Sequence, residues 1–416
     1  MIAINTQNVR TYLENFSLQT QRGFFEEDFT QTNVKPLEVK GKFISRFINE
    51  YWTAKQRQGN SLHEVSYRAC FKAQLPRFFI ELLTEKDDIV YDPFAGRGTT
   101  IIEAALLERH VVSNDVNPLS KILCKPRLEI PNTNELKKRL DEIPVNENVK
   151  ADVDLSMFFH SQTEAEIVSL KSYFEAKQKQ NEKDFIDAWI QMVATNRLTG
   201  HSSGFFSVYT LPPNQAVTPE RQKKINEKRN QVPPYRNVKN IIFDKSKSLL
   251  RDVSQNDREN LKKAAKGAIF TNSDARFTSK IPSDLVQLTV TSPPFLDIVQ
   301  YANDNWLRCW FNSIAVDQVK ITMAKTVEKW CEIMRDVFRE LFRITLKGGF
   351  VAFEVGEVRN GTVKLDEYVV SIGEDVGFNC EGIIINEQTF TKTSNIWGVK
   401  NNDKGTNSNR IVLFRK

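Results

Sequence analysis

Histidine and cysteine are scarce in this 416-residue chain, with four of the first and five of the second. The cysteines, Cys70, Cys124, Cys309, Cys331 and Cys380, form no CxxC pair, so neither a zinc site nor a disulfide framework is expected. The histidines, His63, His110, His160 and His201, are far apart and suggest no metal cluster. A run of about 18 apolar residues is also missing, which argues against a membrane-spanning helix. The opening stretch MIAINTQNVRTYLENF lacks the basic-then-apolar form of a secretory signal, so the expected location is the cytoplasm. Excess charge is small: 58 Lys and Arg against 52 Asp and Glu leave +6. That balance suits a polyanionic partner without requiring one.

What is present is an ordinary globular composition, 40% apolar and 26% charged, long enough for two or three domains or one domain with a large insertion. Residues 1–60 are polar and mixed in charge, with a helix-like stretch at FISRFINEYWTAKQRQ. Residues 61–84 carry apolar groups at helical spacing, and Pro76 either kinks that helix or starts a second one. Asp88 to Tyr91 reads as a short buried strand, followed by the turn DPFAGRGTT (Asp92 to Thr100) and the helix IIEAALLER. A second strand, His110 to Ser113, ends at NDVNP. This is a right-handed βαβ unit, the opening of a parallel doubly wound sheet.

The pattern then breaks. Residues 134–200 look helical and charged, and 201–240 are too rich in Pro, Gly, Ser and Asn for one long helix. Strands return at Ala268 to Ser273 and at Leu285 to Thr291, the latter running into SPPF. A helix near 325–344 precedes the buried strand KGGFVAFEVGE, and EGIIINEQ and NRIVLFRK read as a closing antiparallel pair. The expected fold is α/β: a Rossmann-like, mostly parallel sheet with an antiparallel closing hairpin and a large helical and irregular insertion.

Two strings carry the chemistry. In DPFAGRGTT, Gly96 and Gly98 let the backbone pass close to a ligand at the carboxyl end of a strand. Asp115, just after the second strand, is placed to accept hydrogen bonds from both hydroxyls of a ribose. The second string is TSPPF, Thr291 to Phe295. Ser292 and the Pro293 carbonyl can each accept one N–H of an exocyclic amine. The paired prolines Pro293 and Pro294 fix φ and offer no competing donor, and Phe295 offers a flat face for an extruded base.

Together these strings resemble those of the bacterial DNA amino-methyltransferases of the cytosine-N4 type, over roughly 61–125 and 266–416. The resemblance implies S-adenosylmethionine as cofactor, held by Asp92, Pro93, Phe94, Ala95, Gly96, Gly98, Thr99, Thr100, Asp115, Asn117 and Thr291. It implies that Asp274, beside Ala275, accepts the adenine amino group of the cofactor. Residues 63–80 are the counterpart of a segment packed over the cofactor's methionine end, with Lys72 and Pro76 as candidates, although a core helix explains them equally well. Ser292 favours cytosine N4 over adenine N6, where Asp or Asn is usual. The cofactor loop here precedes the SPP motif, the reverse of the commonest cytosine-N4 order, as circular permutation allows. No Pro-Cys nucleophile motif points to C5 methylation.

Target recognition is expected in the spare length, 126–265, with further DNA contacts possible in 1–60. Residues 221–250 hold nine Lys and Arg against two acids. Arg221, Lys223, Lys224, Lys228, Arg229, Tyr235, Arg236 and Lys239 are the candidate DNA contacts there, a solvated basic surface being the plain alternative. The polar run 401–410 reads as a turn before the last strand. Duplex DNA is the implied partner, with a cognate restriction endonuclease possible. An RNA methyltransferase and a catalytically silent DNA-binding subunit remain rival readings.

Overall fold

The computed structural model describes residues 8–21, 27–52, 59–67, 70–211, 216–294, 301–315, 319, 324, 326–358, 363–387 and 408–416. Phe295 and residues 401–407 of the last polar run lie outside them. The chain opens with α1 (Val9–Glu14), β1 (Gln19–Gln21), β2 (Glu27–Phe29), β3 (Asn33–Val39) and β4 (Lys42–Asn49). Then come α2 (Gln74–Leu83), β5 (Ile89–Asp92), α3 (Thr99–Leu106), β6 (His110–Asn114) and α4 (Pro118–Cys124). Six helices follow: α5 (Thr133–Glu142), α6 (Ser161–Lys179), α7 (Phe185–Arg197), α8 (Pro219–Arg229), α9 (Val238–Leu250) and α10 (Gln255–Gly267). The remainder is β7 (Ile269–Thr271), β8 (Val286–Thr291), α11 (Tyr301–Phe311), α12 (Val327–Ile344), β9 (Thr345–Val355), β10 (Glu357–Val358), β11 (Val363–Lys364), α13 (Leu365–Val376), β12 (Asn379–Glu387) and β13 (Ser408–Arg415).

One nine-stranded sheet organises the molecule, in the order β3-β4-β12-β13-β9-β8-β5-β6-β7. From β9 to β7 the pairs are parallel, while β13 runs antiparallel to both β9 and β12. The fold is therefore a Rossmann-like doubly wound sheet closed by an antiparallel strand. From β5 the chain winds outward to β6 on one side, and β8 lies on the other. A switch point of this kind opens a crevice at the carboxyl ends of the strands.

The helix expected at FISRFINEYWTAKQRQ is a strand over Lys42–Asn49 instead, and 53–58 lie outside the described residues. Its apolar positions fit either period; pairing with β3 and with β12 decides the outcome. Residues 33–49 are thus an edge of the main sheet rather than a separate segment. The helix expected over 61–84 also shrinks. Ser61–His63 is a single 3-10 turn, an irregular strap follows, and only Gln74–Leu83 is α-helical. Pro76 sits in the first turn of α2, where a missing N–H costs nothing.

The insertion has no core of its own. Leu136, Ile167, Trp189, Ile242 and Leu261 share one apolar cluster with Val90, Ile101, Ile102 and Val111 of the βαβ unit. Helix α10, expected to fall almost wholly within the insertion, leads straight into β7, supplying the crossover that a parallel β6–β7 pair needs. The opposite face is covered by α12 and α13 through Trp330, Val337, Phe338, Val369 and Val370. Among the described residues no helix is long and apolar enough to cross a membrane.

Candidate active site

The turn after β5 and the turn after β8 meet. Asp92, 1% exposed, accepts a hydrogen bond from Thr291 Oγ1 at 2.7 Å and from the Phe94 amide at 3.1 Å. Thr100 Oγ1, in the first turn of α3, donates to the Val290 carbonyl at 3.0 Å and ties that helix to the end of β8. Burial pushes the Asp92 carboxyl up to about 7, with the Thr291 and Phe94 hydrogen bonds opposing it. Pro93, Ala95, Thr99 and Thr100 are buried in this junction, and Phe94 is half-buried.

Gly96 and Gly98 have φ of +52° and +77°. The two serve different ends. A Cβ on Gly98 would overlap Cys124 of α4, so this glycine is required by helix packing. Gly96 is required by the turn, where its amide donates to Asp115 Oδ2 at 2.8 Å. Asp115 Oδ1 accepts the Asn117 amide at 2.9 Å. Each oxygen retains further acceptor capacity on a half-buried side chain. Burial raises this carboxyl to about 6, which leaves it ionised at neutral pH. Such a carboxylate, fixed beside a positive-φ turn, fits a ribose diol.

Asn117 is spent structurally: its Oδ1 caps α4 through the Leu119 amide at 3.1 Å, and its Nδ2 donates to Tyr67 Oη at 3.3 Å. Asp274 follows β7, with Ala275 buried beside it, and both of its oxygens are held by Arg276 at 2.9 and 2.6 Å. The arginine keeps the Asp274 carboxyl below its ordinary range. Lys72 is exposed, while Pro76 is buried within α2.

Ser292 and Pro294 are half-buried and Pro293 is buried. The Pro294 carbonyl accepts from Trp330 Nε1 at 3.0 Å. The Ser292 hydroxyl donates to Glu354 of β9, and Asn409 Nδ2 of β13 donates to the same carboxylate at 2.8 Å. Burial raises the Glu354 carboxyl above the usual range, with both hydrogen bonds opposing. Sequence reasoning missed Glu354, although an acid between Phe353 and Val355 in the apolar run FVAFEV was a visible signal. Trp330 and Arg276 carried none.

The basic candidates divide. Helix α8 presents Arg221, Lys223, Lys224, Lys228 and Arg229 outward, docked by buried Gln222 bonding the Tyr209 carbonyl at 3.1 Å. Lys223 has Asp154 at 3.7 Å, and the Arg229 guanidinium stacks 3.8 Å from the Tyr209 ring centroid. The other three are hydrogen-bonded within the chain, Tyr235 while still 47% exposed. Tyr235 donates to Glu166 at 2.7 Å, Arg236 to the Ser202, Phe205 and Ser207 carbonyls at 2.8, 2.6 and 2.5 Å, and Lys239 to the Ile143 carbonyl at 2.6 Å. The polar ends of Tyr235, Arg236 and Lys239 thus fasten parts of the insertion together.

Among known proteins, the Type II methyltransferase M.PvuII of Proteus hauseri is 43% identical over 53 residues, a stretch covering 13% of this chain and 16% of that protein. The structure of TTHA0409, a DNA modification methylase by its description, from Thermus thermophilus, is 23% identical over 35% of this chain and 50% of its own, with a TM-score of 0.22. Precorrin-6y C5,15-methyltransferase from Geobacter metallireducens GS-15 is 10% identical over 86% of this chain and 98% of its own, at a TM-score of 0.33. The family model described as DNA methylase matches residues 14–121, from the end of α1 into α4, the span that contains the DPFAGRGTT turn and Asp115.

Proposed function

We propose that this chain transfers a methyl group from S-adenosylmethionine to an exocyclic amine of a base in duplex DNA, with cytosine N4 as the target. The observation that supports this reading is the Thr291–Asp92 hydrogen bond, which ties the residue before Ser292 to the first residue of the DPFAGRGTT turn. The DNA methylase match and the M.PvuII stretch support the class of reaction. Bound S-adenosylmethionine supplies an electrophilic sulfonium methyl group. Asp115 would hold its ribose, Asp274 its adenine amine, and the turn from Asp92 to Thr100 its path along the strand ends.

The target base must leave the stack, at a cost of a few kcal/mol, to reach Ser292. Because the Ser292 hydroxyl proton points to Glu354, the oxygen lone pairs are free to accept one N–H of the base amine. The Pro293 carbonyl accepts the other. As the nitrogen bonds to the methyl carbon it becomes cationic and must lose a proton. Ser292 can pass that proton to Glu354, whose raised carboxyl suits it as an acceptor. Serine rather than Asp or Asn at this position supports cytosine. The exposed cations of α8 would meet phosphates, making the insertion the target-recognition region.

The test is to incubate purified chain with the methyl donor and duplex DNA of mixed sequence, then analyse the hydrolysed bases by mass spectrometry. N4-methylcytosine is expected. N6-methyladenine would transfer the specificity to adenine, and unmodified DNA together with methylated RNA would overturn the DNA assignment.

A further inference from the structure

The strap formed by residues 61–67 and 70–73 has little regular structure beyond the 3-10 turn at Ser61–His63, and five of its backbone carbonyls, those of Leu62, His63, Val65, Ser66 and Phe71, are claimed by side chains from elsewhere. Arg97, in the middle of the DPFAGRGTT turn, donates through Nη1 to the His63 and Val65 carbonyls at 3.2 and 3.1 Å. Its Nη2 donates to the Phe71 carbonyl at 3.4 Å, and its Nε to Thr99 Oγ1 at 3.2 Å. Beneath it the fully buried Arg127 donates to the Leu62 carbonyl at 2.9 Å and to the carbonyl of Arg97 itself. From the far side, Asn196 of α7 and Arg308 of α11 converge on the Ser66 carbonyl at 2.9 and 3.2 Å.

These contacts make the strap a wall of the turn. The Tyr67 ring lies against Gly96, where a Cβ would stand 3.4 Å from Tyr67 Cε1. A guanidinium can span three carbonyls because its donors are fixed in a planar fork; an ammonium is a point charge and cannot reproduce that spread. The strap therefore has no ladder of its own to rely on. Local segments of this kind open at low free energy unless side chains hold them.

We propose that Arg97 is a positioning residue that locks the strap across the turn, so that the methyl-donor site is assembled before the donor arrives; this rests on the reading of the turn as the donor site. When the closed strap is only fractionally populated, donor affinity falls by that fraction.

Hydrogen exchange and calorimetric donor titration on the full chain test it, with wild type, R97A and R97K compared. The expected result is that amides 64–67 exchange about tenfold faster or more in R97A, and that donor Kd rises by about the same factor. R97K should fall nearer to R97A than to wild type, and it serves alone if R97A does not fold. Unchanged exchange in both variants overturns the lock, and faster exchange with unchanged Kd overturns the positioning role. Wild-type chain that binds no donor refutes the donor-site reading and the positioning role with it, while the exchange comparison still decides whether Arg97 locks the strap.

Discussion

Thr291 donates its hydroxyl proton to Asp92 at 2.7 Å, across a separation of 199 positions in the chain. Both residues are buried at the ends of adjoining parallel strands, β8 and β5. This contact joins the residue before SPP to the first residue of the DPFAGRGTT turn.

Replacing Thr291 by Val removes the hydroxyl at nearly constant shape and leaves Asp92 short of a buried donor. A loss of about 1–3 kcal/mol in unfolding free energy is expected by chemical denaturation. Asp92 itself sets a pH dependence. Its folded pKa, about 7, lies above the unfolded value, so stability should fall as pH rises between roughly 4 and 7. D92N should flatten that slope.

Ser292→Ala should cut turnover by about 100-fold while donor Kd changes little. Glu354→Gln separates the proton acceptor from the hydrogen-bond partner. In wild type, turnover should rise with pH as the raised Glu354 carboxyl ionises, and E354Q should lose that limb. An E354Q pH profile matching wild type would remove Glu354 from proton transfer.

Asp115 must be ionised to accept two hydroxyl protons, and its carboxyl sits near 6. Donor affinity measured by calorimetry should therefore weaken as pH falls from 8 through about 6. D115N should bind weakly at every pH and show little dependence. A pH-independent wild-type affinity would contradict the ribose contact.

Gly98→Ala combines a left-handed backbone, costing roughly 1–2 kcal/mol, with a collision against Cys124. Thermal unfolding should show a loss of several kcal/mol, since overpacking adds about 1–3 more. C124A in the same chain should recover part of it.

The two classes of basic residue should respond differently to salt. Neutralising Lys224 or Lys228, both exposed on α8, should lower the slope of log affinity against log salt by about one each. Arg236→Gln should leave that slope unchanged and instead lower stability, because its guanidinium is bound to three carbonyls.

Local signals were legible and distant ones were not. The βαβ opening, the helix near 325–344 and the closing strand pair stand where their apolar periods and turn residues placed them. The stretch at 43–49 failed because Phe43, Ile44, Phe47 and Ile48 satisfy both helical and strand spacing. Only strands β3 and β12, the second lying more than 300 residues onward, could choose between them. The hydrogen-bond partners of Tyr235, Arg236 and Lys239 were equally hidden, since a basic run looks the same whether its cations meet water, phosphate or a neighbouring carbonyl.

The sequence by itself determined the parts whose causes are local: strand and helix periods, the two glycines of one turn, and the residue types able to hold an amine. The tertiary structure alone decided which of these parts touch. It brought Thr291 to Asp92, Glu354 to Ser292 and Arg97 to the strap, because sheet pairing joins segments without regard to their separation along the chain. Hydrogen bonds between buried groups act over about 3 Å, and nothing in a linear string records which groups will come that close.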